Sequence, residues 1–262
     1  MTNALACFNI APMNTAVIKF SGKALGAHEE LNKLFKSLRG TRSVIVHGGG
    51  TEVDALFKAL SLQVLKKNGL RVSPKEQMPY ICAALGGQCN KALQSQALNA
   101  GLNALGLMAS DGGTLKVRQL DPSLGMVGSV SAGDIHFLNM LLDAGMIPVI
   151  CSLCADEKGE IYNVNADDVA SALASMLKCP LYFVSDVCGV LDGEKKLIPS
   201  LSSKECNALV KAGVITEGMA VKVKSAFDAA AVTHAPVYIG SVFDPDLSDA
   251  ISMRRRLGTA VI

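Results

Sequence analysis

No stretch of this chain stays apolar for the roughly 18–20 residues that a helix needs to cross a bilayer. The best candidate, Leu138 to Cys154, is interrupted by Asp143, Gly145 and Pro148. The first residues lack a basic segment followed by a long apolar one, so they do not read as a secretory signal. Met1–Asn14 reads instead as a short, loosely held leader before the first strand. Charge of one sign is scarce as well. The 25 basic and 23 acidic residues are interspersed, and the net charge is +2. A nucleic-acid binder carries a basic stripe, and the only basic run here, Arg254-Arg255-Arg256, reads as a solvated face. Neither a membrane nor a nucleic acid is expected as a partner, and the expected location is the cytoplasm.

Metal-binding and covalent chemistry are poorly represented too. The chain has four histidines, and a single CxxC spacing formed by Cys151 and Cys154. A structural zinc site needs four placed ligands, and no second pair exists to supply them, so no protein-held metal is expected. Without a secretory signal the eight cysteines read as reduced thiols, and the CxxC pair as two thiols at a strand end. There is no GxxxxGK[ST], and no GxGxxG opens a helix after the first strand. A Walker-type NTPase and a nicotinamide dehydrogenase are therefore disfavoured. No Ser-His-Asp or Cys-His pattern, internal repeat or low-complexity linker is found.

What the chain does have is alternation. Its 262 residues, half of them hydrophobic and 18% charged, can build a large core. Short apolar runs suggest strands at Ala16–Phe20, Ser43–His47, Asn103–Met108, Ile147–Ser152, Leu181–Ser185, Val237–Ile239 and Gly258–Val261. Their near-continuous Val, Ile, Leu and Ala content is that of strands buried on both faces. Helical patterns lie between them, as in Thr51–Leu60, Ile135–Ala144 and Asp168–Leu177. The order implies an α/β fold, a mostly parallel sheet with helices on both sides. Leu115–Leu120 and Met126–Val130 flank a turn at Asp121–Gly125 and read as a β-hairpin appended to the main sheet. A tight lobe boundary is placed near Asp167–Asp168, giving lobes 1–167 and 168–262.

Four clusters carry chemistry. Val44–His47 runs into Gly48-Gly49-Gly50 and then at once into a helix. Three glycines let backbone N–H groups approach an anion, and the helix N-terminus adds partial positive charge. The first strand ends in Ile18-Lys19-Phe20-Ser21-Gly22-Lys23, placing a lysine at the sheet's carboxyl edge, where ligands of open α/β sheets bind. Asn163-Val164-Asn165-Ala166-Asp167-Asp168 presents two asparagines at period two, then two acids of which one reads as a helix N-cap. Gly213–Met219 is a glycine-flanked loop opening a helix, with Lys222 one turn inside. Lysines and glycine amides suffice for phosphoryl transfer. A carboxylate acceptor needs no general base, because a carboxylic acid with a pKa near 4.3 is ionised at neutral pH.

In this order the clusters resemble the amino-acid kinase family and, within it, its acetylglutamate kinase branch. The segments are VIVHGGG (44–50), KKNGLRVSP (66–74), NVNADDVASALA (163–174), VSDVCGVLD (184–192) and GMAVKV (218–223). The resemblance implies a three-layer α/β sandwich, with an acetylglutamate-binding lobe followed by an ATP-binding lobe. It implies transfer of a phosphoryl group from MgATP to the γ-carboxylate of N-acetyl-L-glutamate, a step of arginine biosynthesis. Carried over by position, Lys19 and Lys222 contact the migrating group, and Asp167 holds both lysines. Gly22 and Gly49 donate amides to it. Gly48, Gly49, Arg71, Asn163 and Asn165 bind acetylglutamate, with Arg71 and Asn163 on its α-carboxylate. Ser185, Asp186, Val214, Thr216, Gly218 and Met219 border the nucleotide, beside Lys19, Gly22 and Lys222. Ser21 departs from the pair of glycines usual after the first-strand lysine, and at negative φ it is expected to offer its own backbone N–H. The alternatives are a uridylate kinase or another acceptor of the same family, or a non-catalytic nucleotide-binding regulator. The short leader, with Pro12, implies a homodimer rather than an arginine-inhibited hexamer.

Overall fold

The computed structural model describes residues 15–67, 69–215 and 217–262. The leader Met1–Asn14, and with it the reasoning from Pro12, lies outside the described residues.

An eight-stranded sheet forms the centre. Its spatial order is Ser200–Leu201, Thr259–Val261, Val237–Ser241, Leu181–Ser185, Ala16–Phe20, Ser43–His47, Ile147–Cys151 and Ala104–Met108. Thr259–Val261 runs antiparallel to Val237–Ser241, and the strands from Val237–Ser241 to Ala104–Met108 are parallel to one another. All seven expected strands form, within a residue or two at their ends, and Ser200–Leu201 is added at one edge.

Each central strand is buried on both faces, so successive side chains feed different cores. Val17, Val44 and Val46 pack with the helix Ala166–Leu177 on one face, while Ile18, Phe20 and Ile45 pack with the helix His28–Ser37 on the other. A third cluster joins Val53 and Phe57, of the helix Gly50–Ala59, to Met78, Ile81 and Leu153. Helices on both sides of a mostly parallel sheet make the three-layer sandwich.

The hairpin forms, but not on the main sheet. Leu115–Gln119 and Val127–Ala132 pair antiparallel within a separate four-stranded sheet, together with Ile161–Val164 and Leu153–Ala155. This second sheet packs Val117, Val130 and Tyr162 onto the same core as Ala166–Leu177. The main sheet's edge strand Ala104–Met108 is met by helix side chains instead: Lys91 Nζ donates to the Gly106 carbonyl (3.2 Å) and Gln94 Nε2 to that of Ala104 (3.1 Å).

The basic run also differs from expectation. Arg255 and Arg256 are exposed. Arg254 turns inward, and its Nη2 donates to the Arg42 carbonyl (2.9 Å) and to Ser43 Oγ (3.2 Å).

Topology places the crevice. The chain leaves Ala16–Phe20 for Ser43–His47 on one side, and Leu181–Ser185 returns on the other. The carboxyl ends of these three strands diverge into loops at a switch point, where open α/β sheets bind ligands. Lys19, the glycine loop and Asp186 all emerge there.

Candidate active site

Lys19 leaves the first strand with its side chain only 16% exposed and its Nζ 2.5 Å from Asp167 Oδ1. Asp167 sits in the first turn of Ala166–Leu177, but neither it nor Asp168 caps that helix. The cap is Asn165, with extended backbone (φ −72°, ψ 125°), whose Oδ1 accepts from the Asp167 N–H at 2.8 Å. A short carboxamide one position ahead of the helix satisfies the orphan donor, which leaves the Asp167 carboxylate for Lys19.

Lys222 lies in the helix Glu217–Thr233. Its Nζ is 3.3 Å from Asp186 Oδ1 and 3.4 Å from Ser185 Oγ. Among the described residues the structure thus pairs Asp167 with Lys19 and gives Lys222 to Asp186. The helix packs over the strand Val237–Ser241, next to Leu181–Ser185, so the carboxylate within reach is the one at that strand's end. Lys23 Nζ donates to the other Asp186 oxygen at 2.8 Å. That hydrogen bond, helped by Lys222, holds the Asp186 carboxyl below the usual carboxylate range. Lys19, Ser21, Asp167, Ser185 and Lys222 enclose a narrow cleft of about 60 Å³.

The Ser21 expectation is half met. Its φ is −74°, yet its N–H donates to the Val184 carbonyl at 2.9 Å and so continues the sheet. Its hydroxyl caps the turn Gly22–Leu25 by accepting from the Ala24 N–H (3.3 Å). The serine shapes the loop, and Gly22 is the first residue of the capped turn.

Gly48, Gly49 and Gly50 border a second cavity of about 270 Å³, with Lys66, Arg71, Asn163 and Asn165 in its lining. The Arg71 side chain is 8% exposed and is fixed from one side. Its Nη2 donates to the Gly50 carbonyl (3.0 Å) and to Asp54 Oδ1, and its guanidinium lies over the Phe57 ring. Burial alone would raise the Asp54 pKa, but hydrogen bonds from Arg71 and Lys66 outweigh it and bring the carboxyl below its ordinary value. The other guanidinium nitrogen, Nη1, is buried without a hydrogen-bond partner. A buried donor left unmade costs about 1–3 kcal/mol, which an anionic ligand in this cavity would recover. Asn163 Nδ2 donates to Ser73 Oγ (3.2 Å), and Asn163 lines the same cavity.

Asp186, the partner of Lys222, also borders a cavity of about 650 Å³ whose lining includes Val187, Val190, Val214, Met219 and Phe243. Thr216 lies outside the described residues, as do the surroundings of Gly218. The CxxC thiols are both free and buried, and burial pushes Cys151 up to about 12 and Cys154 up to about 11. Sequence reasoning missed Asp54, Ser73 and Lys23, which brace Arg71, Asn163 and Asp186. Ser73 stands inside the 66–74 segment and Lys23 beside the first-strand loop, whereas Asp54 carries no signal beyond following the glycines.

At the switch point a lysine-lined cleft, a cavity at the glycine loop and a cavity bordered by Asp186 make an arrangement suited to a phosphotransferase. The Amino acid kinase family model matches residues 14–241, and the chain belongs to that family. The chain is 45% identical over 257 residues to the acetylglutamate kinase of Vibrio campbellii, covering 96% of this chain and 97% of the relative. It is 43% identical to that of Serratia proteamaculans, covering 95% and 100%. Among solved structures it matches smu.665 of Streptococcus mutans UA159 with a TM-score of 0.78 at 28% identity, over 94% of this chain and 98% of that one.

Proposed function

We propose that the chain is the kinase that phosphorylates the γ-carboxylate of N-acetyl-L-glutamate from ATP, a step of arginine biosynthesis. The observation that carries this reading is Arg71. A guanidinium held rigidly on one side, with a buried free nitrogen on a small cavity at the glycine loop, is built for a carboxylate. The kinship with acetylglutamate kinases supports the same substrate.

In this reading acetylglutamate fills the 270 Å³ cavity, its α-carboxylate on Arg71 and Asn163, with Asn165 and Gly48 along its length. ATP fills the 650 Å³ cavity, beside Asp186, Val214 and Met219, with Ser185 in the adjoining cleft. The γ-phosphoryl group then crosses the cleft between Lys19 and Lys222, with the Gly22 and Gly49 amides as donors. The acceptor carboxylate is already ionised and attacks without a base. Catalysis is positioning plus stabilisation of charge on the transferring oxygens. The division into lobes 1–167 and 168–262 is supported by the two linings, which fall on either side of Asp167.

Among the described residues no three His, Cys, Asp or Glu side chains converge to hold a metal ion, and Asp167 and Asp186 are both engaged by lysines. Mg²⁺ therefore fits this chain as a companion of the nucleotide phosphates. When bound it would neutralise part of their charge. We also propose a cytoplasmic homodimer. Light scattering is expected to give twice the 27.4 kDa chain mass, and a hexamer would contradict this.

The acceptor is tested by ADP release from MgATP with N-acetyl-L-glutamate, glutamate, aspartate, carbamate and UMP. Turnover restricted to acetylglutamate is expected. Turnover with UMP or another acid instead would keep the fold and cleft and overturn the roles of Arg71 and Asn163.

A further inference from the structure

The strand Ser43–His47 delivers one more side chain to the glycine loop, and this one never reaches solvent. His47 is 0% exposed and contacts Asn90, itself 1% exposed. Their hydrogen bonds determine where the imidazole proton sits. Asn90 Nδ2 is 2.8 Å from the Val149 carbonyl oxygen and 3.0 Å from His47 Nε2. A carbonyl can only accept, so the amide must turn its NH₂ to Val149, and the same NH₂ meets the ring. Nε2 is therefore the acceptor, and in a neutral imidazole the proton is then on Nδ1. Burial lowers the His47 pKa to about 4, which keeps the ring neutral. Nδ1 lies 2.7 Å from the Gly48 carbonyl oxygen and donates to it.

The consequence falls on Gly49. In a trans peptide the C=O of one residue and the N–H of the next point in opposite directions, and no cis bond occurs among the described residues. Anchoring Gly48 O on His47 turns the Gly49 N–H away from the ring. Among the described residues that N–H has no acceptor, and Gly49 lines the cavity of about 270 Å³. The far side of the loop is held as well. A π-turn, Ala83–Cys89, leads directly into Asn90. It brings Leu85 and Cys89 so close that a Cβ on Gly49 would lie 2.7 Å and 2.8 Å from their side chains.

We propose that Asn90 and His47 are positioning residues: Asn90 dictates the tautomer of His47, and His47 fixes the Gly48–Gly49 peptide so that the Gly49 amide is aimed at the transferring phosphoryl group. The proposal rests on the acetylglutamate kinase reading for what meets that amide. Neither side chain touches substrate.

The test joins spectroscopy to kinetics. In ¹⁵N-labelled protein the His47 ring is expected in the neutral Nδ1–H form between pH 6 and 8. In Asn90→Leu and His47→Leu, kcat is expected to fall about ten- to a hundredfold, less than the loss from deleting a donor outright. KM for ATP and acetylglutamate should stay within about twofold. His47→Asn, whose Nδ2 comes to the place of Nδ1, should recover most of the kcat that His47→Leu loses. A wild-type Nε2–H tautomer would overturn the proposal, as would an unchanged kcat in Asn90→Leu or a loss confined to KM. If the leucine variants do not fold, the wild-type tautomer and the kcat of His47→Asn decide. If wild type fails to turn over acetylglutamate, the functional reading falls, while the tautomer still decides whether the relay exists.

Discussion

The two lysines of the cleft differ in what holds them. Lys19 is paired at 2.5 Å with a partly buried carboxylate, whereas Lys222 is 35% exposed and 3.3 Å from Asp186. Lys222 is thus the less tightly held of the two. Lys222→Ala should leave the fold intact and lower kcat by about two to three orders of magnitude, the range for removing one preorganised donor. Steady-state rates and a thermal melt check both halves of that statement. Arg71→Lys tests the acceptor cavity. An ammonium cannot bond Asp54 and Gly50 while leaving a second nitrogen free, so KM for acetylglutamate should rise at least about tenfold with a smaller change in KM for ATP. Equal rises in both would remove Arg71 from the acceptor site. At this scale the sequence is legible in placement, since Lys19, Arg71 and the glycines do line the cleft or the cavity beside it. Pairings are less legible. That Lys222 meets Asp186 depends on how a helix crosses the sheet, and that Ser21 spends its N–H on Val184 depends on how far the strand pairing extends.

The glycine loop and the π-turn behave as one packed element. A Cβ at Gly49 cannot be placed without moving Leu85 and Cys89. Gly49→Ala should destabilise the protein by about 1–3 kcal/mol, the usual cost of overpacking, and should reduce kcat to near background. A urea denaturation series with a parallel assay checks this, and an active, fully stable variant would contradict the packing. The central strands were readable because they are buried on both faces and their apolar runs stand out. The second sheet was not, since its pairing of Val127–Ala132 with Ile161–Val164 is non-local and both strands are short. Nor was the π-turn, whose extra residue leaves no mark on hydrophobic periodicity. The N-cap fell to Asn165 rather than an aspartate because either type caps well, and only the path of the chain chooses between them.

For the molecule as a whole, the buried His47 ties stability to pH. Its pKa is about 4 in the folded protein and about 6.5 in an unfolded chain. Between these values the unfolded state binds a proton that the native state refuses. The contribution is therefore complete above about pH 6.5 and is lost as pH falls toward 4, to a total of about 3 kcal/mol. Unfolding midpoints at pH 7.5 and pH 5 should show wild type losing about 2 kcal/mol more than His47→Asn. No difference between them would mean that His47 is accessible to protons in the native state.

In the proposed reading acetylglutamate lies on one side of the Lys19–Lys222 cleft and ATP on the other. The most direct test is to trap the product acyl phosphate as a hydroxamate while counting ADP. One N-acetylglutamyl hydroxamate per ADP, formed about two to three orders of magnitude more slowly in Lys222→Ala and restored at high acetylglutamate in Arg71→Lys, is the expected result. ADP release without hydroxamate, or hydroxamate formed equally well from glutamate, would contradict it.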